Sequence, residues 1–249
     1  MKIKTLINKL INFSGRYACI CCNSNVIRFA PISKSILQDL KKLSTTDKGF
    51  ETLSVDSYFC PICGANDRDR LILSYIQRNH TSHCSILEIA PSKAVRQQLV
   101  KNKFSYRCCD LFMHGVDDQC DITNMTCYAD QSFDIVICSH VLEHIHDDSK
   151  AISEIARILK PNGQALILVP IPIGLQANLY DAAIEDSETR IKMYGQADHV
   201  RMYSRSGLTD LIKNSGLSLK TWTRSDDELA FEKMGLSSTS TLYVGIKQK

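Results

Sequence analysis

The chain has few of the features that mark exported, membrane-spanning or nucleic-acid-binding proteins. Its opening, MKIKTLINKLINFSG, interrupts short apolar pairs with Lys and Asn, which predicts neither a signal-like apolar run nor a membrane span. The net charge is only +3, too small to indicate a nucleic-acid partner by itself. A length of 249 residues with 44% hydrophobic content suits one α/β domain and a small appendage.

Cysteine is abundant, but its pattern argues against a disulfide framework. Eleven is an odd count, and without an export signal it predicts reduced thiols in the cytoplasm. Six of them are interpreted as small core residues at strand ends: Cys84, Cys108, Cys109, Cys120, Cys127 and Cys138.

Two C-x2-C pairs predict a closed structural zinc site with four thiolate ligands. The pairs are Cys19 with Cys22 and Cys60 with Cys63, in a zinc-ribbon-like module over residues 17–66. A long segment separates them, and Cys21 offers a competing ligand. The alternative is a set of reduced cysteines in a small apolar lobe.

Residues 132–170 have the apolar runs and the boundary residues expected of one βαβ unit. The run 133–138 is short, apolar and β-branched, as in a strand buried on both faces. An amphipathic helix follows and ends at Pro161, and 164–169 returns as a second parallel strand. Ligands of open α/β sheets bind beyond the carboxyl ends of strands, so the chemistry is expected in the polar loop 139–144.

Three linked motifs in this unit resemble the class I S-adenosylmethionine-dependent methyltransferases of the type 11 kind. They are SFD before the strand, HVLEH in the loop and LKPNG after the helix. The resemblance implies an α/β fold with a doubly wound, Rossmann-like seven-stranded sheet over residues 67–249, and S-adenosylmethionine as the cofactor. A generic doubly wound domain with another ligand is the alternative.

The resemblance also implies a cofactor site. Asp110 ends the predicted second strand and would bind the ribose hydroxyls, unless it is a solvated turn residue. Asp121, in a D-I-T segment, would meet the adenine edge, and it can also cap a helix. The residues predicted to contact the cofactor are Glu88, Ala90, Pro91, Asp110, Leu111, Asp121, Ile122, Ser139 and His140.

The first cofactor loop lacks the glycine that is usual in this family. Residues 88–92 read Glu-Ile-Ala-Pro-Ser, whereas glycine would permit close backbone approach and positive φ. Ala90 is small and Pro91 can preset the turn, so we interpret the segment as a degenerate cofactor loop. A family branch associated with bacterial surface-glycan gene sets has a similar loop and a preceding cysteine-rich module.

That branch implies substrate residues on both sides of the cofactor loop. An R-x-R-L segment follows the second cysteine pair, where its arginines can bind an anionic group or pair with neighbouring acids. An insertion at about 171–204 contains the run G-Q-x-D-H-V-R and is expected to cover the substrate. The predicted substrate residues are Arg68, Arg70, Gln196, Asp198, Arg201 and Tyr203.

His199 is the predicted general base, because an unperturbed imidazole titrates at about 6.5. A buried histidine that ties down the insertion is the alternative. Glu143 and His144 complete the predicted catalytic set. The predicted function is methyl transfer to a hydroxyl of a sugar or surface-glycan precursor, free or phosphate- or lipid-linked. An RNA methyltransferase that docks through a zinc ribbon and an inactive zinc-ribbon interaction protein are the alternatives.

Residues 1–16 predict a basic amphipathic helix. Apolar residues recur at helical spacing, and the charged residues among them are all basic. Such a helix can lie on an anionic membrane or pack on the protein's own surface. The predicted location is therefore the cytoplasm, with or without peripheral contact to the inner face of the membrane.

Overall fold

The computed structural model describes residues 15–43 and 49–249. An N-terminal lobe begins with the antiparallel strands β1 (Tyr17–Cys19) and β2 (Ser24–Val26). Helix α1 (Lys34–Leu40) and a single 3-10 turn (Val55–Ser57) follow. The predicted helix over residues 1–16 falls almost entirely outside the described residues. No helix in the described ranges is long and apolar enough to cross a bilayer.

The central sheet has seven strands within the described residues, in the order β10-β11-β7-β6-β3-β4-β5. Its strands are β3 (Ser85–Ile89), β4 (Ser105–Asp110), β5 (Asp118–Gln119), β6 (Phe133–Ser139), β7 (Leu159–Leu168), β10 (Leu217–Trp222) and β11 (Leu242–Lys247). From β7 to β5 all neighbours are parallel, whereas β11 is antiparallel to both β7 and β10. The predicted doubly wound, Rossmann-like sheet is confirmed.

Amphipathic helices bury both faces of this sheet. Helices α2 (Asp67–Asn79) and α3 (Lys93–Lys101) contribute to one hydrophobic cluster. Helices α4 (Asp148–Ile158) and α6 (Arg205–Asn214) contribute to the cluster on the opposite face. Their apolar residues recur every three to four positions, so each helix presents one continuous stripe to the sheet.

The N-terminal lobe shares its core with the first of these clusters. Cys19, Phe29 and Cys60 are buried in the same apolar cluster as Leu71 and Ile76 of α2. Helix α7 (Glu228–Lys233) adds to the same cluster. The lobe is therefore held against the sheet by continuous apolar packing, which fixes its position relative to the loops at the sheet edge.

A capping box fixes the start of α2. The Asn66 side chain accepts a hydrogen bond from the Asp69 backbone N–H at 2.9 Å. The Asp69 carboxylate accepts one from the Asn66 N–H at 3.0 Å. These reciprocal bonds satisfy two backbone donors that an α-helix leaves free at its start. They place Arg68 on the first turn of the helix.

The turn predicted at Pro161 lies inside β7. Helix α4 ends at Ile158, and β7 begins at Leu159, earlier than the predicted strand 164–169. Asn162 has a φ of 63°, and the register between β6 and β7 shifts after Phe133. The turn is therefore an irregularity within the pairing of β6 with β7.

The insertion after β7 packs on the N-terminal lobe. It contains the antiparallel pair β8 (Leu179–Tyr180) and β9 (Arg201–Met202), with helix α5 (Ser187–Tyr194) between them. Tyr194 and Met202 are buried together with Leu43 of the lobe. This contact closes one side of the space beyond the carboxyl end of β7.

Candidate functional site

The carboxyl ends of β3 and β6 define the switch point of the sheet. The chain leaves β3 towards β4 on one side, while β6 lies on the other, so the loops diverge and leave a crevice. Both loops contain a residue in the left-handed region, Ala90 at φ 51° and His140 at φ 55°. Such backbone is costly for residues with a Cβ and is concentrated at functional sites.

Glu88 stabilises the glycine-less loop 88–92 through two hydrogen bonds. Its Oε1 accepts the Ser92 backbone N–H at 2.9 Å, and its Oε2 accepts the Tyr106 hydroxyl at 2.6 Å. The side chain is buried, and this burial raises the pKa of Glu88 to about 8. Both oxygens accept hydrogen bonds from the protein, so Glu88 shapes the loop. Its predicted contact with the cofactor stays a prediction.

Ala90 occupies the conformation that glycine would adopt without cost. Its N–H donates to the Cys109 carbonyl at 2.9 Å, which holds the turn against β4. The left-handed conformation costs about 1–2 kcal/mol in a residue with a Cβ. The loop therefore keeps the shape of a glycine turn, with Pro91 directly after it.

Ala90→Gly should raise the free energy of unfolding by about 0.5–1 kcal/mol, since relief of the left-handed strain exceeds the extra chain entropy of glycine. Urea denaturation measures it. The matched control is Ala94→Gly within α3, where glycine should instead destabilise by about 1 kcal/mol. A loss of stability in both variants would show that Ala90 is not strained.

Asp110 ends β4 beside the crevice, as predicted from the sequence. Its Oδ1 accepts the backbone N–H groups of Phe112 and Met113, each at 2.7 Å. Within the described residues, Oδ2 accepts no hydrogen bond. Leu111 follows it and is half exposed. The predicted ribose ligand therefore combines a turn role with one oxygen left for a ligand.

Asp110→Ala should weaken the binding of S-adenosylhomocysteine at least tenfold, because hydrogen bonds to charged groups contribute about 1.5–3 kcal/mol. Isothermal titration calorimetry measures the dissociation constant. Asp110→Asn separates the two roles, since its amide oxygen can still accept from Phe112 and Met113 while its NH2 cannot accept from ribose hydroxyls. An unchanged dissociation constant in both variants would refute the assignment.

The predicted adenine side lies one strand further along. Asp121 follows β5, and its Oδ1 accepts both the backbone N–H and the hydroxyl of Thr123 at 2.8 Å. This local turn is the capping-type role anticipated for Asp121, and Oδ2 remains for a ligand. Ile122 is buried in the core next to it.

The HVLEH loop after β6 places a carboxylate among three imidazoles. The Oε1 of Glu143 lies 3.1 Å from Nδ1 of His140, and the ring centroids of His144 and His199 are 4.7 Å apart. Burial opposes ionisation of Glu143, yet His140, His199 and His144 together lower the pKa of Glu143. Burial, followed by the nearby Arg68 guanidinium, lowers the pKa of His140 to about 4.

His199 reaches this loop from the insertion. Its Nδ1 lies 2.8 Å from the carbonyl oxygen of Tyr194, and burial lowers the pKa of the ring. Donation from Nδ1 leaves the lone pair on Nε2, which is buried and has no partner within the described residues. Nδ1 thus ties the ring to the insertion while Nε2 stays free, a geometry compatible with both roles that the sequence leaves open.

Asp198 turns away from its neighbour. Its Oδ2 and its backbone oxygen each lie 3.3 Å from Nδ1 of His144. Adjacent residues of an extended loop point in different directions, so Asp198 supports His144 while His199 faces Glu143. Ser139 lies at the end of β6, paired with Leu168 of β7.

Two predicted substrate residues of the insertion have structural roles instead. Arg201 is buried, forms an ion pair with Asp148, donates to the His146 carbonyl at 2.6 Å and lies against the Tyr180 ring. Tyr203 is fully buried, and its hydroxyl donates to Asp148 at 2.6 Å. These contacts tie the insertion to the start of α4, and the predicted substrate roles of Arg201 and Tyr203 are wrong.

Arg70 is a third correction. Its guanidinium is fully buried, donates to the carbonyls of Ser57, Tyr58, Ala65 and Met234, and lies 3.8 Å from the Phe29 ring centroid. It links the cysteine-rich turn to the end of α7 and cannot reach a substrate. Sequence proximity alone suggested otherwise.

Arg68 points the other way, into a cavity of about 520 Å³. The cavity lies between the N-terminal lobe, the carboxyl edge of the sheet and the insertion. Its polar lining includes Tyr58, Arg68, His140, Gln196, Asp198 and His199. Its apolar lining includes Ile32, Ile36, Phe50, Leu53, Ile171 and Met202.

Sequence reasoning missed the lobe's share of this cavity. Tyr58 accepts a hydrogen bond from Arg68 at 3.4 Å, and Ile32, Phe50 and Leu53 form part of the apolar wall. No periodicity or motif marks these residues. Their place depends on the docking of the lobe, and the only local signal is the position of Tyr58 just before the cysteine knuckle.

The four predicted metal ligands converge in the lobe. Sγ of Cys19 lies 3.7 Å from that of Cys63, and Sγ of Cys22 lies 3.9 Å from that of Cys60. A tetrahedral site with zinc–sulfur bonds of about 2.3 Å has edges of about 3.8 Å. The thiols therefore fit a zinc ion, and Cys21 lies outside the cluster.

Comparison with known proteins agrees with the fold. Residues 71–167 match the methyltransferase domain family. A phosphoethanolamine N-methyltransferase 2 of Haemonchus contortus, solved with S-adenosyl-L-methionine, aligns over 75% of this chain and 53% of its own with a TM-score of 0.51 and 16% identity. That likeness is one of fold.

Two curated relatives match in sequence. The ubiquinone/menaquinone biosynthesis C-methyltransferase of Bdellovibrio bacteriovorus is 32% identical over 111 residues, 40% of this chain and 47% of that protein. A ubiquinone biosynthesis O-methyltransferase of Coxiella burnetii is 27% identical over 135 residues, 54% and 51% of the two chains. The chain spans about half the length of these relatives.

Residues 71–167 therefore match a methyltransferase domain, and the chain has a Rossmann-like fold similar to that of the solved S-adenosyl-L-methionine-bound neighbour. These findings agree with the predicted resemblance of the chain. Its assignment to a glycan-associated branch stays a prediction.

Proposed function

We propose that the chain transfers a methyl group from S-adenosylmethionine to a hydroxyl of an anionic sugar or glycan precursor. The observation that carries the proposal is Arg68. Its Nε is buried and has no partner within the described residues, at the wall of a cavity that also contains His140 and His199. A buried Nε–H without an acceptor is costly, and a phosphate or carboxylate can accept from Nε and a terminal nitrogen of the guanidinium together.

The cofactor and the acceptor meet at the HVLEH loop. Ala90 and Asp110 lie along the crevice on the cofactor side, and Arg68 and His199 line the cavity on the acceptor side. His140 belongs to both, because it follows β6 at the switch point and also lines the cavity. A methyl group carried by a cofactor in the crevice would then point towards the cavity.

The chemistry is an in-line displacement at the sulfonium methyl. The acceptor oxygen forms a bond to the methyl carbon as the carbon–sulfur bond breaks, and the hydroxyl proton must leave. Holding oxygen, carbon and sulfur in line supplies much of the acceleration. The unprotonated Nε2 of His199 is the group proposed to receive the proton, with Glu143 beside it to stabilise the charged ring.

Arg68→Gln should raise the KM for an anionic acceptor by roughly 10–100-fold, since a charge-assisted hydrogen bond contributes about 1.5–3 kcal/mol. Turnover at saturation should change little. Arg78→Gln, at the far and exposed end of α2, is the matched control. Equal KM values for Arg68→Gln and Arg78→Gln would show that Arg68 does not bind an anionic group of the acceptor.

A second acceptor class is a phenolic, apolar ring of the kind that quinone biosynthesis uses. Two observations favour it, the apolar wall of the cavity and the similarity to two methyltransferases of ubiquinone biosynthesis. An aromatic ring would lie against Ile32 and Phe50, and its hydroxyl would reach His199. This candidate needs no contact with Arg68.

Transfer of a labelled methyl group tests the proposal. The full chain is incubated with methyl-tritiated S-adenosylmethionine and two acceptor sets, sugar phosphates with their lipid-linked forms, and prenylated dihydroxybenzenes. Label in the first set supports the sugar acceptor, and label in the second selects the phenol. Absence of calorimetric binding of S-adenosylhomocysteine would contradict both and favour an interaction protein.

We also propose that Cys19, Cys22, Cys60 and Cys63 hold one structural zinc. Four thiolates leave no position open, so the ion would stabilise the lobe and take no part in methyl transfer. The lobe supplies one wall of the cavity, and its folding would therefore be coupled to acceptor binding.

A further inference from the structure

Three side chains of different origin converge beside the cavity. Glu143 and His144 come from the loop after β6, and His199 comes from the insertion. One ligand atom from each lies within 4.8 Å of the others. Glu143 is only 1% exposed and His199 only 2%, so these groups were removed from water when the insertion folded over the loop.

The ligand atoms of this cluster are incompletely satisfied by the protein. Nδ1 of His140 lies 3.1 Å from Oε1 of Glu143, but within the described residues neither oxygen of Glu143 nor Nε2 of His199 completes a hydrogen bond. A buried carboxylate without a completed hydrogen bond is costly, and a bound cation would offset part of that cost.

The two histidines are held in the tautomer that a cation requires. Nδ1 of His199 lies 2.8 Å from the Tyr194 carbonyl oxygen. Nδ1 of His144 lies 3.3 Å from both the backbone oxygen and Oδ2 of Asp198. A proton on each Nδ1 leaves the lone pair on Nε2, and metal-binding histidines are oriented by such contacts to carbonyls and carboxylates.

We infer that Glu143, His144 and His199 form a second metal site, separate from the four cysteines, which binds a divalent transition-metal cation. Two imidazoles and one carboxylate suit zinc, iron or manganese, whereas calcium and magnesium prefer oxygen ligands alone. Three protein ligands leave coordination positions open, as in catalytic metal sites. His199 lines the cavity, so a cation bound to it would lie beside the acceptor.

Binding of the cation depends on these side chains alone, while its use rests on the proposed function. A cation at this place would hold the acceptor oxygen and stabilise the negative charge that develops on it. Because the cation would occupy Nε2 of His199, that nitrogen could not receive the hydroxyl proton, and the proton would pass to solvent water instead. Two groups of the cavity would then bind one acceptor. The cation would bind its reacting oxygen, and Arg68 would bind its anionic group.

Zinc stoichiometry tests the site. Untagged full-length protein is incubated with Zn²⁺, desalted and measured by elemental analysis. We expect two zinc ions per chain in the wild type, and one in Glu143→Gln, His144→Ala and His199→Ala, because the cysteine site stays filled. His146→Ala is the matched control, since His146 is exposed, lies two residues along the same loop and is not part of the cluster. It should keep both ions.

Calorimetric titration of Zn²⁺ into protein that already holds its first ion measures the second site directly. Glu143→Gln should weaken this binding at least tenfold, and His144→Ala gives an independent answer if Glu143→Gln does not fold. One zinc in the wild type, with no second binding event, would overturn the inference. Methyl transfer that survives chelation would then leave the proposed function standing, with His199 as a base alone.

Discussion

Replacing His199 with alanine should lower the turnover number by roughly 10²–10⁴, the range for loss of a general base or an equivalent activating group. The residue faces Glu143 and the cavity, and its free Nε2 is the group best placed to act on the acceptor hydroxyl. Affinity for S-adenosylhomocysteine should stay within about twofold, because the crevice is built from the loops after β3, β4 and β5. Steady-state kinetics and calorimetry measure the two quantities.

A purely structural role of His199 would give a different pattern of kinetic and thermal effects in His199→Ala. His199 also ties the insertion through Tyr194, so a purely structural residue would show a lower melting temperature and a raised acceptor KM with turnover retained. His146→Ala is the control for loss of a loop histidine. Full turnover in His199→Ala, with a parallel loss in His144→Ala, would move the base to the HVLEH loop.

Cys60→Ser should remove the proposed zinc and unfold much of the N-terminal lobe. Structural zinc contributes about 10–16 kcal/mol in small zinc-binding peptides, and its binding is coupled to folding. The lobe shares its core with α2, so the melting temperature should fall and proteolysis should begin between residues 17 and 66. Elemental analysis, thermal melting and limited proteolysis give the three readouts.

Kinetic measurements on Cys60→Ser separate an effect on the acceptor cavity from an effect on the cofactor crevice. Since Ile32, Phe50 and Tyr58 line the cavity, loss of the lobe should raise the acceptor KM strongly and leave cofactor affinity nearly unchanged. Cys21→Ser is the matched control, because Cys21 lies outside the four-thiol cluster and its replacement should retain the zinc. Less than one zinc in the wild type, purified without chelator, would contradict the site.

Local patterns predicted the elements of the sheet because each depends on neighbours in sequence. The strand predicted over 133–138 agrees with β6 to within one residue. Helix α4 begins at its acidic cap and ends before Pro161, as period and capping chemistry require.

The errors have one physical origin. Arg70, Arg201 and Tyr203 carry groups that suit substrate binding, and all three are buried in long-range contacts to carbonyls or to Asp148. A side chain's chemistry is readable from sequence, but whether its donors are already satisfied is not. Arg68 and Arg70 are two residues apart, and burial of one and exposure of the other to the cavity depend on how the lobe docks.

The sequence by itself predicted most strands and helices of the central sheet, the resemblance to methyltransferases and the convergence of four cysteines, because periodicity, caps and spacing are local. The tertiary structure decided which residues enclose the proposed acceptor cavity. The lobe and the insertion are far apart in the chain, and only their packing through Leu43, Tyr194 and Met202 encloses a cavity. The same packing brings His199 to Glu143 and leaves the lone pairs of both without a partner, a relation between distant residues that no local pattern encodes.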